Sequence, residues 1–214
     1  MIFETCGSLR YQDALNLQRK SADKNNIEIF CFEPEPIFTF GLRAQPPLHS
    51  FGVPVLKVDR GGEGTYHGPG QILFFPAVHL PSIEFTVKEW VAFMLSVTKA
   101  TLRSWDIPAE TNICKPGIYT PTGKIGSIGL KIEGGWVRHG LALNIKGDLN
   151  PFSRIAVCGV AGQSMDQISN WKPGISVVDV TDRWTSLFKQ NFAERRRHKC
   201  CRVEEPLISD QRML

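Results

Sequence analysis

Strand-like runs in this chain outnumber helical ones and come in clusters. Ile27–Phe32 and Ile37–Phe40 are parted only by the breaker Pro34-Glu35-Pro36. Val53–Val58 leads into a glycine-rich stretch, and Gln71–Val78 follows it as a buried strand. Further strand-like runs lie at 117–120, 124–132, 136–145 and 175–180, with a short helix near 163–171 between the last two. Besides that short helix, helical spacing is found in three places: 8–22 with Ser8 as N-cap, 87–104, and a final stretch beginning near Thr181 that carries Trp184, Leu187, Phe188 and Phe192. The second is the clearest, because Thr86-x-x-Glu89 forms a capping box ahead of it. A chain without strict βα alternation does not wind a purely parallel sheet. The pattern predicts an α/β (α+β) domain with a mixed, partly antiparallel sheet flanked by helices.

At 214 residues the chain suits one domain, read here as residues 1–193, with 194–214 as a basic C-terminal tail. The net charge of +4 is matched by residues 194–202 alone, where five Lys/Arg stand against one Glu. The remainder sums to zero, which argues against a broad nucleic-acid face. The opening MIFETCGSLRYQ has neither the positive nor the apolar region of a secretory signal, and the run Ile72–Leu80 is too short to span a membrane. Six cysteines at 6, 31, 114, 158, 200 and 201 lack regular spacing and read as reduced thiols, so the cytoplasm is expected.

Four segments could carry chemistry. Arg60-Gly-Gly-Glu-Gly-Thr-Tyr-His-Gly-Pro-Gly-Gln71 is far richer in glycine than the chain around it, which lets a ligand approach the main chain closely. A tight hairpin would explain the glycines, but not Arg60, Tyr66 and His67 among them. No lysine lies between Val58 and Lys88, so this is not a Walker A loop, and no GxGxxG is present. Gly123-Lys-Ile-Gly-Ser-Ile-Gly-Leu-Lys-Ile132 reads as a strand, with Lys124, Gly126 and Ile128 on one face and Ile125, Ser127 and Gly129 on the other. Trp136–Ile145 places His139 with Leu141 and Leu143, where a lone histidine is more often a hydrogen-bonded structural residue. Ile155–Gly162 is an apolar run holding Cys158, a residue type often inert in a core. Cys158 nevertheless sits at a strand-to-turn junction ahead of a helix expected at Gln163-Ser-Met. A helix N-terminus or a neighbouring ammonium would stabilise its thiolate, which at an unperturbed pKa is only about 3% populated at neutral pH. No HExxH, CxxC or GxSxG pattern is present, and no metal is expected.

Taken together and in order, these segments resemble the lipoyl(octanoyl) transferase family. Arg60-Gly-Gly-x-x-Thr-Tyr-His-Gly-Pro-Gly-Gln71 is very close to its signature. Gly123-Lys-Ile-x-x-Ile-Gly129 looks like its lysine strand, and His139-Gly-Leu-Ala-Leu-Asn144 like the strand after it. Asp148-Leu-x-Pro-Phe152 followed by Cys158-Gly159 is similar to its cysteine block. The resemblance covers roughly residues 8–185 and implies the catalytic-domain fold of biotin and lipoate protein ligases. It also implies an acyltransferase that needs no cofactor and moves an octanoyl group from octanoyl-acyl carrier protein to a lysine of lipoyl domains. The acceptors would be those of 2-oxoacid dehydrogenases and the glycine cleavage H protein, with no nucleic acid or membrane involved. Cys158 would carry the acyl group as a thioester and Lys124 would exchange protons with it. Substrate contacts would fall on Arg60, Gly61, Gly62, Glu63, Gly64, Thr65, Tyr66 and His67, on Ser127, Ile128 and Gly129, and on Gly140, Leu141 and Ala142. Burying six or so methylenes in such a site stabilises the complex by about 5 kcal/mol before entropic losses. This chain departs from the family at Glu33-Pro34-Glu35-Pro36, which lacks the usual histidine, at Val157 and at Glu63-Gly64. The alternatives are an ATP-dependent lipoate or biotin ligase on the same fold, or a non-catalytic binder of lipoyl domains.

Overall fold

The seven residues Gln71–Ala77 are buried at every position, as a strand covered on both faces must be. The computed structural model describes residues 1–21, 23–24, 26–46, 52–112, 115–155 and 164–203, the last six by their backbone alone. In chain order the elements are β1 (Ile2–Leu9), α1 (Tyr11–Lys20), β2 (Glu28–Pro34), β3 (Ile37–Phe40), β4 (Val55–Lys57), β5 (Gly64–His67) and β6 (Gln71–Ala77). They continue with α2 (Val87–Arg103), β7 (Glu110–Asn112), β8 (Gly117–Tyr119), β9 (Lys124–Glu133), β10 (Trp136–Asn144) and α3 (Val177–Val203). Seven strands form one sheet in the order β1-β2-β6-β10-β9-β8-β7; β4-β3-β5 form a small second sheet. All neighbours in the large sheet run antiparallel except β1 and β2. The mixed, partly antiparallel architecture expected from the sequence is the one found.

Alternation along β6 divides the core in two. Ile72 and Phe74 join Trp90, Met94, Trp184 and Phe188 beneath α2 and α3. Leu73, Phe75 and Ala77 join Tyr11, Ala14 and Leu15 of α1 on the opposite face. The helical face is anchored by Trp184, whose ring stacks on Phe74 at 3.9 Å and whose Nε1 donates to Thr98 Oγ1 at 2.8 Å. The Thr86–Glu89 capping box opens α2 as expected. Among the described residues no helix is long and apolar enough to cross a membrane.

Three expectations change. Ser8 lies in β1, an edge strand with little apolar alternation, and α1 begins only at Tyr11. The run 175–180 is not a strand: Ser176 and Asp179 cap each other's backbone N–H groups at 3.1 and 2.9 Å, and α3 starts at Val177. The helix expected near 163–171 is reduced to a 3-10 turn at Ile168–Asn170, and Met165 instead bridges Lys124 in parallel strand fashion. Residue 163 lies outside the described part. α3 runs through position 193. Arg195 returns to α2, pairing with Glu89 at 2.7 Å and lying 4.0 Å over the Phe85 ring.

Candidate active site

The glycine-rich loop ahead of β5 lies across the large sheet, with Gly61 N–H donating to Leu130 O of β9 at 2.9 Å. Between this loop and the strands β6, β9 and β10 is a partly open cleft. Of the fourteen substrate-contact residues expected from the sequence, Arg60–Thr65, His67, Ser127–Gly129 and Gly140–Ala142 line it. Tyr66 does not. Its ring points from the opposite face of β5, 5.2 Å from Phe38 and 5.7 Å from Phe152. Tyr11, Leu73 and Phe75 also line the cleft, and nothing local in the sequence marks them, because sheet pairing and the packing of α1 bring them there. Gly140 is fixed by close approach: a Cβ there would stand 1.9 Å from Phe74 O on β6.

Polar groups at the cleft wall are locked into one chain. Arg60 is buried and its Nη2 donates to Thr39 O and Oγ1, both at 2.9 Å. His67 stacks on Tyr11 at 5.2 Å, with its Nδ1 3.2 Å from Gln71 Oε1. Burial, reinforced by the Arg60 charge, pushes the His67 pKa down to about 3. His139 lies 2.8 Å from the Tyr11 hydroxyl through Nδ1 and 2.8 Å from Asp59 through Nε2. Burial drives His139 down to about 4 in spite of Asp59, so the contact is a hydrogen bond from a neutral imidazole and not an ion pair. Nε2–H then donates to Asp59, and Nδ1 accepts from Tyr11, whose own pKa burial raises to about 12. Asp59 also pairs with Lys131 at 2.8 Å.

His139 does not share a face with Leu141 and Leu143, as simple alternation predicts. Its φ of 58° turns the ring toward Tyr11 and Phe75, while the two leucines pack beneath α2 and α3. Gln18 of α1 holds this backbone, accepting from His139 N–H at 2.9 Å and donating to His139 O at 2.8 Å. The structural reading of this histidine fits its surroundings.

Lys124 is redirected by a second irregularity. Pairing between β8 and β9 steps from Ile118↔Gly126 to Tyr119↔Lys124, leaving Ile125 as the extra residue of a β-bulge. Ile125 therefore joins the core beneath α2 and α3, and Lys124 turns to the side occupied by Gly117 and its partner Ser127, a cleft residue. Lys124 is 1% exposed; its Nζ lies 3.4 Å from Pro116 O and 5.4 Å from the centre of the Tyr119 ring. Gly117 leaves room there: a Cβ would meet Lys124 Cε at 2.6 Å and the backbone Gly126 O at 2.9 Å. The strict face assignment from the sequence is thus corrected: Lys124 parts from Gly126 and Ile128 and joins Ser127.

Cys158 lies outside the described residues. The chain on its C-terminal side returns against Lys124: Lys124 N–H donates to Ser164 O at 2.8 Å, and Asp166 N–H donates to Lys124 O at 2.9 Å. Ser164–Gln167 are not helical, so the described residues lend no support to a helix dipole at Gln163-Ser-Met acting on the thiol.

Residues 7–189 match the lipoyl protein ligase A/B catalytic domain, and the chain belongs to that family. An octanoyltransferase of Coxiella burnetii (strain RSA 493 / Nine Mile phase I) is 39% identical over 167 residues, covering 77% of this chain and 69% of that protein. One from Dichelobacter nodosus (strain VCS1703A) is 33% identical over 185 residues, covering 85% and 92%. A bipartite lipoate protein ligase from Thermoplasma acidophilum shares the fold with a TM-score of 0.69, at 12% identity, over 90% of this chain and 83% of that one.

Proposed function

We propose that this chain is an octanoyltransferase of protein lipoylation, moving the acyl group from octanoyl-acyl carrier protein through a thioester on Cys158 to one lysine of a lipoyl domain. The observation that carries the reading is Lys124: a buried amine that a bulge turns to the same side of β9 as Ser127, a residue of the cleft. The octanoyltransferase relatives support the same chemistry. In the first half-reaction the Cys158 thiolate attacks the donor's thioester carbonyl. A carbon–sulfur bond forms to Cys158, the donor's breaks, and the carrier thiolate leaves, taking the proton that Lys124 had accepted from Cys158. In the second, the acceptor amine attacks, a carbon–nitrogen bond forms and the Cys158–acyl bond breaks. The amine's proton passes to Lys124 and then to the thiolate. The cleft residues from the three strands, with Leu73 and Phe75, would hold the acyl tail, and a reducing compartment such as the cytoplasm would keep Cys158 a thiol. Lipoyl domains of 2-oxoacid dehydrogenases and the glycine cleavage H protein are the acceptors this reading names.

The ligase alternative is supported by the likeness of fold and by a family that takes in ligases as well. A direct assay separates the two: lipoyl domain is incubated with the protein and either octanoyl-acyl carrier protein, or ATP and free octanoate. Octanoylation of the domain is expected in the first mixture and not in the second. Acceptor modification that requires ATP and octanoate would overturn the reading, as would binding of the domain without transfer from either.

A further inference from the structure

Asp166 is 1% exposed, and its carboxylate is met by neutral donors on every side. Oδ2 accepts from Thr120 Oγ1, from Thr122 Oγ1 at 2.7 Å and from Trp171 Nε1 at 2.7 Å. Oδ1 accepts from Gln167 N–H and Asn170 Nδ2, both at 2.8 Å. Its backbone is held as well: Asp166 N–H donates to Lys124 O at 2.9 Å, and Asp166 O accepts from Asn144 Nδ2 of β10 at 2.9 Å. The carboxylate thus ties three pieces of chain together: the 120–123 turn entering β9, the 164–167 stretch and the turn carrying Trp171. Lys124 is the first residue of β9 and the point where these pieces meet. Such a hydrogen-bonded carboxylate costs little when complete and a great deal when one partner is lost. Its acidity agrees: burial opposes ionisation, but the bonds from Thr120, Thr122, Trp171 and Asn170 outweigh it and lower the pKa.

We propose that Asp166 is a positioning residue that fixes the start of β9 against residues 164–167 and thereby sets where the Lys124 amine stands. The idea rests on the acyl-transfer reading for its consequence, but not for its geometry. Asp166→Asn is the informative change, since in either amide orientation its NH2 faces a fixed donor, Trp171 Nε1–H or Gln167 N–H. Adding Trp171→Phe removes one of those donors and leaves an orientation without conflict.

The test has two readouts. Transfer from octanoyl-acyl carrier protein to a lipoyl domain should slow on the order of tenfold or more in Asp166→Asn, with the donor KM within about twofold. The rate should partly recover in Asp166→Asn/Trp171→Phe, and Asp166→Asn should add little in a Lys124→Ala background. Labelling by an amine-reactive acylating reagent, mapped by peptide mass, should rise several-fold at Lys124 relative to Lys99. If Asp166→Asn fails to fold, Thr122→Val weakens the same carboxylate and should show both effects in smaller measure. Unchanged Lys124 labelling in the folded variants overturns the inference, as does equal slowing with and without Lys124. Absence of transfer by the unaltered protein would count instead against the acyl-transfer reading, leaving the labelling result to decide on Asp166.

Discussion

Lys124 and Gly117 depend on each other at the scale of single residues. The lysine side chain lies where a Cβ on residue 117 would be, so Gly117→Ala must displace the amine or strain β8. Overpacking of this kind costs about 1–3 kcal/mol, and moving the amine by about an ångström should slow transfer on the order of 10- to 100-fold. Urea unfolding and the transfer assay measure the two effects separately, and Lys124→Ala should recover only part of the lost stability, because the contact with Gly126 O at 2.9 Å remains. A Gly117→Ala protein with unaltered rate would show that this placement of the lysine is immaterial. The glycine-rich loop was legible in the sequence because titratable groups within it have no place in a simple turn. The facing of Lys124 was not, since the bulge at Ile125 is set by register with β8, a pairing that period-two alternation cannot anticipate. His139 escaped alternation for a similar reason: its positive φ is held by Gln18, 121 positions away in the chain.

Elements with a buried stripe and a cap could be read directly, and α2 is the example. α3 carries an equally good box in Ser176-Val-Val-Asp179, yet Val177, Val178 and Val180 favour a strand by propensity. The cap and the packing of Val180, Trp184, Phe188 and Phe192 decide otherwise. Ser176→Ala is therefore expected to cost about 1 kcal/mol and to speed amide exchange in the first turn of α3. Unchanged stability and exchange would mean that side-chain packing alone sets this start. β1 was missed because an edge strand, exposed along most of its length, shows too few apolar positions to reveal a period.

Across the whole molecule, the sheet separates two functions. The helices α2 and α3 pack on one face and close the larger core cluster, while α1, the small sheet and the cleft occupy the other. Clustered strands made the partly antiparallel sheet legible; the order of its strands, and the passage of α3 through residue 193, depend on long-range contacts. The buried imidazoles give this architecture an acid limit. His67 and His139 stay neutral in the fold down to about pH 3 and 4, but would take up protons near pH 6.5 when unfolded. Between pH 6.5 and 4 the unfolded chain holds more protons, so stability rises with pH there and falls on acidification. The slope reaches up to about 1.4 kcal/mol per pH unit for each histidine. Asp59, held down to about 2 against burial by Lys131 and His139, contributes stability that is lost only below about pH 4. Urea midpoints at several pH values should fall from pH 6.5 downward, less steeply in His67→Asn. A flat profile from pH 6.5 to 5 would contradict this account of the cleft wall.

The central claim is that a cysteine carries the acyl group beside Lys124, and intact mass spectrometry followed by peptide mapping tests it most directly. Mixed with octanoyl-acyl carrier protein, the protein should gain one octanoyl group on Cys158, discharged when a lipoyl domain is added. The adduct should be absent in Cys158→Ser and should form slowly in Lys124→Ala. An octanoyl group on another cysteine, or acceptor modification with no acyl-enzyme formed, would contradict the account.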